Sequence, residues 1–202
     1  MKSLRTATLA LVPALALVAG LAATPASAAA VGTKAPAFQL KDLNGKPHSL
    51  DQYKGKTVVL EWLNPNCPFS DRHAREKTMT AVEHKYGQVV WLGINSTNPQ
   101  HGDYLEPAAH AAWAKRNGID YAILYDPSGS TGHAYGAKTT PHMFVVDGSG
   151  KIAYEGAIDD DPSGRKERAQ RRNYVDGGLT AELAGRPVDP ATTKPYGCSV
   201  KY

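Results

Sequence analysis

Apolar and polar residues alternate along this chain in two distinct rhythms. Residues 57–63 (TVVLEWL), 88–95 (QVVWLGIN) and 121–126 (YAILYD) are short runs rich in β-branched and aromatic side chains, the content of buried strands. Between the first two, Phe69, Met79, Val82 and Tyr86 recur at helical spacing, which predicts one helix over 69–86. A second helix is predicted over 108–118 (AAHAAWAKRNG), closed by Gly118. Residues 37–43 (AFQLKDL) alternate like a half-buried strand and run into the turn signal NGK at 44–46. Residues 96–107 read as a polar loop and 128–140 as a connection holding a short helix. Residues 142–158 read as a hairpin around Asp-Gly-Ser-Gly.

Strand, helix, strand, helix, strand, short helix and strand pair follow in that order. Alternating βαβ units predict a parallel core with helices on both faces, and the final hairpin adds antiparallel strands. The fold class is therefore α/β with a central mixed sheet. The tail, 185–202 (GRPVDPATTKPYGCSVKY), is rich in proline and polar residues and predicts an irregular surface segment.

The first 28 residues do not follow either rhythm. Lys2 and Arg5 precede an uncharged apolar stretch, and Ala26–Ser27–Ala28 offers small residues for cleavage, the three-part pattern of a secretory signal peptide. The domain division expected is 1–28 signal peptide and 29–202 one domain of about 174 residues, long enough for a sizeable core. Removing Lys2 and Arg5 lowers the formal charge of +4 to +2, a balance that gives no reason to expect a nucleic-acid partner. The dense basic stretch at 164–173 reads as a solvated face. Cleavage leaves no membrane anchor and places the protein in a periplasmic or secreted, disulfide-permissive setting.

The chemistry centres on two cysteines, Cys67 and Cys198, which allow one connectivity. Cys67 follows the 57–63 run, and Pro68 suits the first position of a helix. A cysteine at a helix start has its thiolate stabilised by free N–H groups and the helix dipole. Arg72 and His73 lie one turn on and can add positive potential, and Ser70 can donate a hydrogen bond to the sulfur. The seven histidines show no paired metal spacing, and the carboxylates of 158–162 lack the spacing of a calcium loop. Neither a cofactor nor a metal is expected.

Cys67 at a strand-to-helix junction, Pro141 directly before the hairpin and the βαβ…ββ order together resemble the thioredoxin-like fold. More closely, Glu61, Trp62, Asn64, Cys67, Pro68 and Phe69, with the closing Pro195–Tyr202, resemble redoxins of the AhpC/TSA type, a peroxiredoxin-like group of exported bacterial proteins. The resemblance implies that Cys67 is the active thiol, that Pro141 forms a cis-proline loop facing it, and that His142 approaches Cys67, where a charged imidazole would favour the thiolate. It also implies antioxidant or thiol–disulfide chemistry on a thiol, disulfide or small peroxide substrate, with an external reductant.

The sequence departs from the family in three places. Ser70 stands where a Cys-x-x-Cys pair has its second thiol, so Cys67 lacks a neighbouring resolving thiol. Asn64 and Leu60 stand where peroxiredoxins carry their peroxide-activating Thr/Ser and Pro. Cys198 is then the resolving or disulfide partner available in the chain. Two other functions fit the same residues: a non-catalytic binding module stapled by a Cys67–Cys198 disulfide, and a copper chaperone using Cys67, His142 and Met143.

Overall fold

The computed structural model describes residues 29–202, so the expected signal peptide lies outside the described residues. Seven strands form one sheet: β1 (Gln39–Asp42), β2 (Pro47–Ser49), β3 (Val58–Trp62), β4 (Val90–Asn95), β5 (Ala122–Tyr125), β7 (His142–Val146) and β8 (Ile152–Gly156). Their spatial order is β2-β1-β5-β4-β3-β7-β8. β3, β4 and β5 run parallel, β7 lies antiparallel to β3, and β8 closes the hairpin. This is the mixed sheet of a thioredoxin-like fold.

Strand periodicity sorts the core onto two faces. Val58, Leu60 and Trp62 point to one side, where they meet Phe144, Leu124 and Tyr135 of α4 (Ser130–Tyr135). Val59 points to the other side and meets Val145, Met79, Val82, Val175 and Leu179. The last two belong to α5 (Tyr174–Leu183), whose start is capped by the Asn173 side chain accepting the Asp176 N–H at 2.9 Å. Trp113 and Ala114 of α3 (Pro107–Asn117) bury beside Leu63 and Ile123, and Gly118 ends α3 in a left-handed conformation (φ 68°).

The helix expected over 69–86 is two helices, α1 (Pro68–Arg75) and α2 (Thr78–Lys85), joined through Lys77 at φ 54°. The cause is geometric. Ala74 and Met79 both bury against the same side of the sheet, yet five residues along a straight helix turn by about 140° beyond one revolution. The left-handed residue re-aims the chain so that both can bury.

The tail also departs from expectation. Most of it is irregular, but β9 (Cys198–Ser199) pairs antiparallel with β6 (Thr139–Thr140), joining Thr139 to Ser199 and Thr140 to Cys198. No helix among the described residues is long and apolar enough to cross a membrane.

Candidate functional site

The site begins where β3 runs out. The Asn64 side chain accepts the Asn66 N–H at 2.7 Å, and the Cys67 N–H reaches the Asn64 carbonyl at 3.0 Å, so the chain turns sharply after the sheet. Cys67 then occupies the N-cap of α1 and Pro68 its first position, where a missing N–H costs nothing. Facing the turn is the Thr140–Pro141 peptide bond, which is cis. The Cys67 thiol donates to the Thr140 carbonyl at 2.8 Å.

Over this junction lies the tail. Cys198 pairs with Thr140, the residue that already touches Cys67, and both cysteines are free thiols. Gly197 (φ 138°) makes the approach possible, because a Cβ there would fall 2.7 Å from the Thr140 carbonyl carbon and closer still to its oxygen. Tyrosines fasten the strap on both sides. The Tyr196 hydroxyl donates to the buried carboxylate of Asp159 and meets His73 Nε2 at 2.9 Å, while its ring lies against Phe69. Tyr202 donates to the Ala137 carbonyl at 2.7 Å and stacks on His133.

The electrostatics of the two thiols diverge. Burial opposes a charge on Cys67, but hydrogen bonds from the Thr140 side chain, the Ser70 N–H, and the thiol and N–H of Cys198 outweigh it. The Cys67 pKa therefore lies below the ordinary thiol value. Burial, the hydrogen bond to Cys67 and the negative charge of that thiolate push Cys198 up to about 11. One thiol is poised to ionise and its neighbour to stay protonated. That is the electrostatic arrangement of an attacking thiolate beside a reserve thiol.

Several sequence-derived expectations change here. Ser70 serves the sulfur through its main-chain N–H, while its hydroxyl accepts from the Asn64 N–H at 3.4 Å. His142 does not supply a positive charge: burial, and then Lys138, hold its pKa down to about 4, so it is neutral at physiological pH. Its Nδ1 accepts the Lys138 N–H at 3.2 Å, and its ring packs on Phe144 and lines a surface pocket with Lys138, Glu155 and Lys194. His73 is likewise held down to about 4 by burial and spends its ring nitrogens on Tyr196, Thr78 and Arg72. Arg72 donates to the Asp161 carbonyl at 3.0 Å. Met143 lies in the core on the opposite face of β7 from His142, so Cys67, His142 and Met143 do not converge as copper ligands.

Two further features carry weight that the sequence did not assign them. Glu61 is buried in the middle of β3, accepts from the Tyr121 hydroxyl at 2.7 Å, and has its pKa raised by burial to about 7. Its signal was visible as the single charge in TVVLEWL. Asp159 and Tyr196 form the buried anchor of the tail. A separation of 37 residues and no local pattern left that pair unreadable.

Residues 31–155 match the model of the AhpC/TSA family. Among curated proteins, the chain is 30% identical over 129 residues to the thiol-disulfide oxidoreductase ResA of Geobacillus thermodenitrificans, covering 64% of this chain and 70% of that one. It is 30% identical over 144 residues to the thiol:disulfide interchange protein DsbE of Escherichia coli K12, covering 69% and 71%. The fold is shared with an uncharacterized conserved protein from Geobacillus kaustophilus at a TM-score of 0.75 and 26% identity, covering 86% of this chain and 92% of the other.

Proposed function

The chain belongs to the AhpC/TSA family, and from that premise we propose that it is an exported thiol–disulfide oxidoreductase in which Cys67 attacks and Cys198 resolves. The observation that carries the reading is that Thr140 brings two free thiols together, meeting the Cys67 thiol at 2.8 Å and pairing its backbone with Cys198, while their pKa values shift in opposite directions. Relatives with thiol–disulfide activity in their names support the reaction class.

In the first step the Cys67 thiolate attacks one sulfur of a substrate disulfide. A bond forms between the two sulfurs, the substrate S–S bond breaks, and one substrate thiolate leaves. Cys67 is now neutral. The charge that raised the Cys198 pKa is gone, so the resolving thiol becomes easier to ionise only after the mixed disulfide exists. The Cys198 thiolate then attacks the Cys67 sulfur, closes the Cys67–Cys198 disulfide and expels the second substrate thiolate. Two electrons have passed to the substrate, and an external dithiol returns them. Pro141 shapes the junction by presenting the Thr140 carbonyl to Cys67.

Peroxide reduction is the less favoured use of the same thiol. The Asn64 amide, at the position of the peroxiredoxin Thr/Ser, is engaged with the Thr97 hydroxyl and the Asp103 carbonyl. Export is part of the proposal: residues 1–28 act as a cleaved signal and 29–202 as the redoxin domain. Supporting it are the basic start, the uncharged apolar stretch and Ala26–Ala28. N-terminal sequencing of the exported protein tests this, and a first residue within the apolar stretch contradicts it.

The activity test is reduction of a protein disulfide in the presence of an external dithiol. Wild type is expected to accelerate it, Cys67→Ser to abolish the acceleration, and Cys198→Ser to stall as a mixed disulfide. An unchanged rate in Cys67→Ser contradicts the reading.

A further inference from the structure

The tail seals the thiol it serves. Cys67 is only 3% exposed, and β9 lies on the strand edge beside it. A substrate disulfide can reach the Cys67 sulfur only by displacing that segment. The vacated edge, Thr139–Thr140, then has unpaired backbone groups, and an incoming extended chain satisfies them by the same antiparallel pairing. In that register the incoming cysteine lies opposite Thr140, whose carbonyl is 2.8 Å from the Cys67 sulfur.

We propose that the groove filled by Pro195–Tyr202 is also the docking groove for substrate, and that it selects disulfides whose cysteine is preceded by glycine. The proposal rests on the thiol–disulfide reading above. Its basis is what the resident tail shows about the groove. The residue before the cysteine takes the place of Gly197, where backbone at φ 138° and the crowding of Thr140 both exclude a Cβ. The residue before that takes the place of Tyr196. There an aromatic ring lies against Phe69, its centroid 6.1 Å away, and a hydroxyl reaches His73 and Asp159. The favoured partner is therefore an extended aromatic–Gly–Cys segment, a class that includes the tail of a second copy of this chain. The tail is in effect a tethered competitor for its own substrate groove.

The test uses the full chain carrying Cys198→Ser, so that the mixed disulfide with Cys67 is trapped. Two peptides of sequence 194–202 are prepared, one native and one with Gly197→Ala. The cysteine of each is held as a mixed disulfide with nitrothiobenzoate. Attack by the Cys67 thiolate on the peptide sulfur forms the Cys67–peptide disulfide and releases the coloured nitrothiobenzoate thiolate, the better leaving group. The small mixed disulfide of mercaptoethanol with nitrothiobenzoate reports the reactivity of Cys67 without docking. Attack by free mercaptoethanol on each peptide corrects for any intrinsic difference between them.

The glycine peptide is expected to react about tenfold faster than the alanine peptide, the factor set by forcing a Cβ into left-handed backbone. Equal corrected rates for the two peptides, with Cys67 reacting readily, overturn the selectivity and leave the thiol–disulfide reading standing. No reaction with either peptide or with the small disulfide overturns that reading and the selectivity together.

Discussion

Thr140 touches both cysteines of the site: its carbonyl lies 2.8 Å from the thiol of Cys67, and its backbone pairs with that of Cys198. A single residue before a cis-proline thus sets the distance between a cysteine on a helix start and one on a chain end. The chemistry proposed depends on that arrangement, and each part of it can be disturbed separately.

Replacing Cys198 by alanine removes the thiol that donates to Cys67 and leaves burial and the remaining donors. Ionisation of Cys67, followed through the ultraviolet absorbance of its thiolate, is expected to move to higher pH in Cys198→Ala. A curve superimposable on that of wild type would show that the two sulfurs are electrostatically uncoupled.

Gly197→Ala places a Cβ against the Thr140 carbonyl at positive φ. The backbone conformation alone costs about 1–2 kcal/mol, and the crowding adds to it. The strap is expected to loosen, which limited proteolysis reads as faster cleavage between 190 and 202. Equal cleavage rates would mean that the tail is held without that close approach.

Tyr196→Phe keeps the ring and removes the hydroxyl that satisfies Asp159 and His73. Leaving buried polar groups unpaired costs about 1–3 kcal/mol. The urea midpoint is expected to fall accordingly. A change smaller than the error of the midpoint contradicts an anchoring role for this hydroxyl.

How much of this was legible in the sequence differs from element to element. β3, β4, β5 and the β7–β8 hairpin were readable because each is an apolar run with clear punctuation. Cys67 at a helix start was readable because Pro68 follows it. The break at Lys77 was not, since a non-glycine residue at positive φ leaves no mark in the pattern. α5 escaped notice because Gly177 and Gly178 sit inside it and weaken its helical signature. β9 is two residues long, below any periodicity, and its pairing depends on a partner almost sixty residues away in sequence. The charge states of His73 and His142 depend on burial, which spacing alone does not reveal.

Those charge states set the pH dependence of stability. His73, His110 and His142 are each held down to about 4 by burial, against an ordinary value of 6.5. Their unfolded forms take up protons below about 6.5 while the folded forms do not. Stability is therefore complete above that value and is lost as pH falls towards 4, on the order of 3 kcal/mol per histidine. Glu61, raised to about 7, acts in the opposite sense: it favours the fold at acid pH, and that contribution disappears as pH rises from about 4.5 to 7. The urea midpoint is expected to drop between pH 6.5 and 4.5 because three groups outweigh one. Glu61→Gln is expected to be more stable than wild type at pH 8 and close to it at pH 4.5. A midpoint that rises on acidification through this window contradicts the assignment of neutral buried imidazoles.

The most direct test of the pairing of Cys67 with Cys198 is mass spectrometry of reduced protein mixed with a small disulfide and quenched in acid at intervals. In wild type the expected sequence is a transient adduct on Cys67 followed by an intramolecular Cys67–Cys198 disulfide, and in Cys198→Ser the adduct on Cys67 persists. An adduct that forms first on Cys198, or one on Cys67 of wild type that never gives way to the internal disulfide, would contradict the roles assigned to the two thiols.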